Sequence, residues 1–178
     1  LMSEGIKLIY VFDGEYNKLK EKTHEIRYEN KNNMREKYEK AKEEEDVDAM
    51  GKYARALGEL NREMIEESKE LLRAMGICVV QAPGEGEMQC AELVKSGGAY
   101  AVGSQDYDAL VVGADRLIQN LTLARKRTTP SGFVYITPEI IEYKKVLNEL
   151  GIDHDQLISL AILVGTDFNP GGVRGIGP

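Results

Sequence analysis

Cysteine and histidine are scarce, with two of each in 178 residues. Cys78 sits in an apolar run and Cys90 in a helical pattern. That usage excludes a disulfide framework and a thiolate zinc site, and it points to an intracellular protein. Long apolar runs are also missing. Leu160–Val164 falls far short of the ~18 residues that a membrane span requires, and no signal-peptide pattern opens the chain, so no membrane partner is expected. Positive charge is in deficit, with a net charge of −7. This argues against a uniformly basic nucleic-acid surface. If six acids serve as metal ligands, however, the remainder falls to −1, and a near-neutral body with a local basic patch still binds phosphate. At 42% hydrophobic and 30% charged residues, the chain reads as one soluble globular domain with a real core.

What is plentiful is carboxylate, and it comes in pairs. Ile77-Cys78-Val79-Val80 is followed by Gln81-Ala82-Pro83-Gly84-Glu85-Gly86-Glu87. Tyr100-Ala101-Val102 is followed by Ser104-Gln105-Asp106-Tyr107-Asp108. In a parallel α/β sheet the loops after strand C-termini share one edge, where ligands bind. Residues two apart in extended chain point the same way, so each pair can aim into one crevice. Two carboxylates about 5 Å apart repel by roughly 3 kcal/mol at an effective dielectric near 20, and a divalent cation removes that cost. Oxygen donors without His or Cys suit Mg²⁺ or Mn²⁺. Either pair alone reads more readily as a solvated turn, and two pairs at matching places in the α/β pattern bring the ligand reading level with it. Ile6 to Phe12, expected to be a strand buried on both faces, adds a fifth acid at Asp13-Gly14. Gly165-Thr166-Asp167 adds a sixth, Asp167. It follows a helix C-terminus, where a carboxylate is disfavoured by roughly 0.3–1 kcal/mol unless a cation lies nearby.

Between the first strand and the paired acids, Lys18 to Asp48 holds nine basic and ten acidic residues, too polar to bury much surface. A solvated helix or a partly disordered arm is expected. Lys20, His24, Arg27, Lys31 and Arg35 fall on one helical face, and Glu21, Glu25 and Glu29 on an adjacent one. Asp46 or Asp48 would cap a long second helix with a core-facing stripe, Met50, Tyr53, Leu57, Leu60, Met64, Leu71 and Met75, ended by Gly76. Farther on, Arg116–Leu121 reads as a strand. Arg125-Lys126-Arg127 opens a polar loop through Thr129-Pro130-Ser131-Gly132, and Phe133–Ile136 reads as a short strand. Thr137 and Pro138 are expected to start a helix running to Leu150, with Gly151 closing it. Asp153 and Gln156 form a capping box for a last helix, Leu157–Val164, apolar almost all round and expected to be buried. The start, Leu1-Met2-Ser3-Glu4-Gly5, looks like the last turn of a helix, and the chain stops mid-loop at Gly175-Ile176-Gly177-Pro178.

Val11-Phe12-Asp13-Gly14, Gln81–Glu87, Gln105–Asp108, Val164–Asp167 and Arg174–Pro178, in this order, resemble the flap endonucleases, structure-specific 5′ nucleases of DNA replication and repair. The Gly165–Gly172 wording looks archaeal. The resemblance covers essentially the whole chain and implies an α/β fold with a mostly parallel central sheet flanked by helices, similar to PIN and 5′-nuclease domains. Residues 1–178 would form a single, incomplete catalytic domain, 16–48 a helical arch inserted in it, and 173–178 the start of a helix–hairpin–helix. It further implies that Asp13, Glu85, Glu87, Asp106, Asp108 and Asp167 surround two Mg²⁺ ions, with Mn²⁺ as a substitute. Lys20 and Arg27 would face the scissile phosphate. Lys31, Arg35, Lys52 and Arg55 would join them in binding branched or flap DNA. A sliding clamp would be a partner of the full-length protein through a tail absent here. The location implied is cytoplasmic, at the archaeal nucleoid, or nuclear in a eukaryote. Three features depart from the family. Gly84 replaces a Ser, which would remove a backbone or helix-cap contact. Tyr16-Asn17 replaces a Pro-Pro, which would loosen the base of the arm. An amino-terminal strand with its own metal-binding Asp is absent.

The implied reaction is phosphodiester hydrolysis by two metal ions, with the carboxylates as ligands and not nucleophiles. Two rivals stand beside it. One is a Mg²⁺-dependent phosphatase using Asp106 and Asp108, which the interposed Gly103-Ser104-Gln105 and the Glu85/Glu87 pair fit poorly. The other is a catalytically silent module that binds branched DNA.

Overall fold

Strand-forming runs alternate with helices along the chain, and the parallel pairing of the first strands gives the expected α/β fold. The computed structural model describes residues 1–178 apart from 16, 59, 122–125, 130–131 and 177–178, and leaves the side chains of 127 and 128 undescribed. The readings placed above on Tyr16, Arg125, Pro130, Ser131, Gly177 and Pro178 lie outside the described residues. β1 (Ile9–Phe12) and β2 (Cys78–Gln81) pair in parallel, with Ile9 opposite Cys78 and Phe12 opposite Gln81. β3 (Val102–Gly103) and β4 (Arg116–Gln119) form a second parallel pair, to which β7 (Glu139–Glu142) adds antiparallel. α4 (Gly86–Lys95) packs on both β1 and β3 and so links the two pairs. Asp13 follows β1 and Glu85 follows β2, so their parallel pairing delivers both to one end of that pair, while Asp106 and Asp108 follow β3 at the matching end of the second pair.

The core lies where α4, the short helix α5 (Asp108–Val111), β3 and β4 meet. Ala91, Val94, Val102, Ala109, Leu110, Ala114 and Leu117 are buried there. Three of the seven are alanines, which let the helices approach closely. Leu117 is fully buried, a burial that contributes on the order of 2–3 kcal/mol.

Main-chain bonds lock the ends of β1 and β2 together. Ala82 donates to Phe12, Gly14 to Gly84 at 2.6 Å and Glu15 to Pro83 at 3.1 Å. The Gln81 side chain donates to the Asp13 carbonyl at 2.6 Å. A Cβ on Gly14 would lie 2.1 Å from the Ala82 carbonyl oxygen, a backbone atom that cannot yield. Gly14→Ala is therefore expected to destabilise the protein by roughly 1–3 kcal/mol through overpacking, read as a lowered denaturant midpoint. A midpoint equal to that of the parent would show that the β1–β2 junction gives way freely.

Most of the 16–48 stretch folds as α1 (Glu21–Glu43), and α2 (Val47–Ala56), which lies mainly beyond it, packs against α1. Ala41 is buried on α1, and Asp46 caps α2 by accepting from the Ala49 N–H at 2.9 Å. A single 3-10 turn, Lys18–Lys20, precedes α1. Its cap is Asn17, whose side chain accepts from the Leu19 N–H at 3.0 Å. Asn17 thus supplies a defined start to the arm.

Several expectations are corrected. The long second helix is two helices, α2 and α3 (Arg62–Ala74), because Gly58 breaks the run and Asn61 caps a new start by accepting from the Met64 N–H. Its stripe is not core: Leu60, Met64, Leu71 and Met75 are all exposed, since α3 packs mainly on β2. The expected helix from Thr137 is strand β7 followed by α6 (Tyr143–Leu150). Ile140 and Ile141 pair against Ile118 and Leu117, and cross-strand packing outweighs the helix-start signal of Pro138. The polar loop is a hairpin of β5 (Lys126–Thr129) and β6 (Gly132–Tyr135). Lys126 lies over the rings of Phe133 and Tyr135 at 5.9 and 5.2 Å. The last helix, α7 (His154–Val164), has the expected capping box, but only Leu157 is buried, while Leu160, Ile162 and Val164 are exposed. A helix apolar all round needs neighbours on several sides, and among the described residues α7 packs chiefly on α5. β1 likewise is not buried on both faces, since Tyr10 is 43% exposed.

Candidate active site

Asp13 is fixed first. Its Oδ1 accepts from the Gly86 N–H at 2.7 Å, placing a carboxylate at the positive end of α4. Glu85, the α4 cap residue, makes no side-chain cap bond, so Asp13 caps the helix from another strand. Close approach requires Gly86, where a Cβ would fall 2.9 Å from Asp13 Oδ1.

Ser104 joins the two acidic pairs. Its hydroxyl donates to Glu87 Oε1 at 2.6 Å and accepts from the Asp106 N–H at 3.1 Å. Burial, ahead of the charges of Asp108 and Asp106, pushes the Glu87 carboxyl above the usual range against the bond from Ser104. Burial also raises Asp108, with Asp106 and Asp167 adding to the shift. These acids feel one another across a shared cleft. Ser104→Ala is expected to cost about 1–3 kcal/mol, because Glu87 and the Asp106 amide both lose a partner. Chemical denaturation measures it, and Ser104→Thr should retain most of the stability. Equal losses from both changes would rule out the hydroxyl as the cause.

Asp167 sits on a tight turn in which Thr166 and Asn169 exchange backbone bonds. Gly165 (φ +120°) and Gly172 (φ +55°) pack so closely that a Cβ on Gly172 would lie 2.2 Å from the Leu163 carbonyl oxygen. The cation that a carboxylate at this helix end calls for comes from the arm. Arg27 Nη2 lies 2.7 Å and Lys20 Nζ 3.4 Å from Asp167 Oδ2, and Lys20 Nζ is 2.7 Å from Glu85 Oε2. Lys20 is only 8% exposed, and its ammonium lies 4.7 Å from the Phe168 ring centroid. Burial pulls the Lys20 pKa down, but Glu85 and then Asp167 outweigh it, and the ammonium is held above its ordinary value.

Two adjoining cavities result. One, of about 200 Å³, includes Lys20, Glu85, Glu87 and Asp108 in its lining, with apolar walls from Val111 and Ile158. The other, of about 500 Å³, is lined by Arg27, Asp106, Asp108 and Asp167 among others. Asp108 borders both. Five of the six acids therefore converge, while Asp13 is held at α4. Among the described residues no three His, Cys, Asp or Glu side chains form a ready ion-holding cluster. Lys20 and Arg27 supply countercharge to Glu85 and Asp167. The donor set, carboxylate oxygen throughout, fits a hard divalent cation.

Of the other basic residues, Lys31 and Arg35 lie farther along α1. On α2, Lys52 Nζ lies 5.8 Å from the ring centroid of Tyr53, and Arg55 Nε donates to the Gly51 carbonyl. None of the four lines either cavity. Thr23, Ser104 and Phe168 belong to the site and were missed in the sequence, because only the long-range contacts identify them.

The XPG I-region matches residues 76–167. Flap endonuclease 1 of Staphylothermus marinus is 49% identical over 180 residues, covering 100% of this chain and 51% of that protein. The structure of flap endonuclease-1 from Methanococcus jannaschii superposes with a TM-score of 0.64 at 45% identity, covering 95% of this chain and 50% of the other. The catalytic core of Rad2 in complex with a DNA substrate gives a TM-score of 0.68 at 27% identity, covering 99% and 46%. The chain thus spans about half the length of the relatives it matches.

Proposed function

We propose, since the chain belongs to the XPG I-region family, that it is the nuclease core of a structure-specific 5′ flap endonuclease and 5′–3′ exonuclease. It would hydrolyse DNA phosphodiesters in replication and repair. The observation that carries this reading is the convergence of Glu85, Glu87, Asp106, Asp108 and Asp167 on one cleft, faced by two arm cations. These acids, with Asp13, would hold two Mg²⁺ ions, with Mn²⁺ as a substitute. Bound there, the ions would supply Lewis-acid charge neutralisation and an activated water.

The remaining work falls to this chain's own residues. Lys20 and Arg27 already reach the acids, and a phosphate entering the cleft competes for the same ammonium and guanidinium. Charge that builds on the phosphate in the transition state strengthens both contacts. Phe168 and the apolar walls at Val111 and Ile158 limit water around Lys20. Lys31 and Arg35, on the arm at 16–48, and Lys52 and Arg55, on α2 beyond it, would contact the DNA backbone away from the chemistry. The proposed partner is branched DNA, joined by a sliding clamp in a longer protein with a tail beyond these residues. The proposed location is the cytoplasm at the nucleoid, or the nucleus in a eukaryote. The family relationship favours cleavage over both the phosphatase and the silent module. No described helix is long and apolar enough to cross a membrane.

The test is a labelled 5′-flap duplex incubated with the protein and Mg²⁺. The expected result is release of the flap, stopped by chelation. Binding without cleavage would instead establish the silent module, and an aspartyl-phosphate trapped by rapid quench would establish the phosphatase.

A further inference from the structure

We propose that Thr23 is a positioning residue that couples the order of the arm to the placement of Asp167, an inference that rests on the nuclease reading above. Thr23 is 7% exposed, and its hydroxyl donates to the backbone carbonyl of Asp167, 144 residues away. Lys20, Thr23 and Arg27 lie on one side of the start of the arm, and all three reach Asp167: two hold its carboxylate and one holds its main chain. The ion pairs tolerate sliding, because a carboxylate accepts from many directions. A hydroxyl bond to a carbonyl is directional, and the β-branched side chain has few rotamers to lose. A threonine inside a helix can spend its hydroxyl on its own preceding turn, but Thr23 lies in the first turn of α1. Here it crosses to the other side of the cleft. Thr23 carries no charge to offer a phosphate, so its contribution is to set the register between α1 and the 165–169 turn. By holding the Asp167 main chain, the Thr23 bond pre-sets that carboxylate for an ion, and whatever this bond contributes to metal loading the ion returns to docking of the first turns of α1.

The test compares Thr23→Val, which keeps the shape and removes the donor, with Thr23→Ser, which keeps the donor. Amide hydrogen exchange is followed at the first turns of α1 and at 165–169, with and without Ca²⁺ as a probe ion. Calorimetry gives the Ca²⁺ affinity, and single-turnover flap cleavage is followed across Mg²⁺ concentration. In the Val variant, exchange at both segments should speed up, and Ca²⁺ binding should weaken, each by roughly five- to tenfold, as expected for one lost buried hydrogen bond. The cleavage rate should fall more at low Mg²⁺ than at saturation, with flap affinity little changed, and Ser should restore all of these. Exchange in the Val variant equal to the parent's at both segments would overturn the proposal. So would equal impairment in Val and Ser, which would assign the effect to side-chain volume. If the parent binds Ca²⁺ but never cleaves a flap, the nuclease reading fails, and the exchange comparison still decides the role of Thr23.

Discussion

Asp106→Ala or Asp108→Ala should reduce flap cleavage by about a thousandfold or more, equivalent to roughly 4 kcal/mol of barrier, while flap DNA binds as well as before or more tightly. Asp108 borders both cavities, and after burial the charges of Asp106 and Asp167 are what raise its pKa. Removing one of these acids thus relieves its neighbours and lessens repulsion of an incoming phosphate, while depriving the proposed cation of a ligand. A simple folding defect would weaken binding and lower the unfolding midpoint. Here the midpoint should hold or rise. Gel-shift affinity, single-turnover rate and thermal unfolding on the same preparations check this. Turnover within a few-fold of the parent would exclude these acids from the site.

Lys20→Ala and Arg27→Ala should each lower the single-turnover rate by about 10²–10³, as for loss of one donor to developing charge, with a much smaller effect on affinity. Because Lys20 also pairs with Glu85 and Asp167, its loss removes the countercharge of Glu85 and leaves Asp167 with Arg27 alone. Divalent ions should then bind at least as tightly as to the parent, which separates a transition-state role from a metal-holding one. Arg35→Ala, farther along α1, should mainly weaken binding and flatten its salt dependence. Equal rate losses from all three changes would mean that the stripe acts only as an electrostatic surface.

What could be read in the sequence was whatever local pattern controls. The strands before Asp13, Glu85 and Asp106 come from short apolar runs, and their loops follow from Gly and Pro. Asp153 and Gln156 announced their capping box, and it is present. Glu139-Ile140-Ile141-Glu142 could not be assigned locally, because its strand state comes from pairing with Arg116–Gln119. Exposure of the α3 and α7 stripes was equally hidden, since periodicity reports which side of a helix is apolar and not whether a neighbour covers it. Within the site, each acid could be named from its loop. Thr23, Ser104 and Phe168 could not: an isolated hydroxyl or ring has no sequence signature until the chain brings its partner across 144 residues, or 17, or 148 in the case of Lys20 and Phe168.

The length of α1 has a mechanical consequence. Its 23 residues make a rod about 35 Å long, anchored at one end by Lys20, Thr23 and Arg27 and braced along its side by α2. A tilt of about 10° at the anchor would sweep the far end through roughly 6 Å but move Arg27 by little more than 1–2 Å. Position along the rod therefore sets tolerance. Groups near the pivot keep their aim through such a tilt and can serve chemistry that punishes small errors. Lys31 and Arg35 travel a wider arc and suit a ligand whose backbone offers a phosphate every few ångströms.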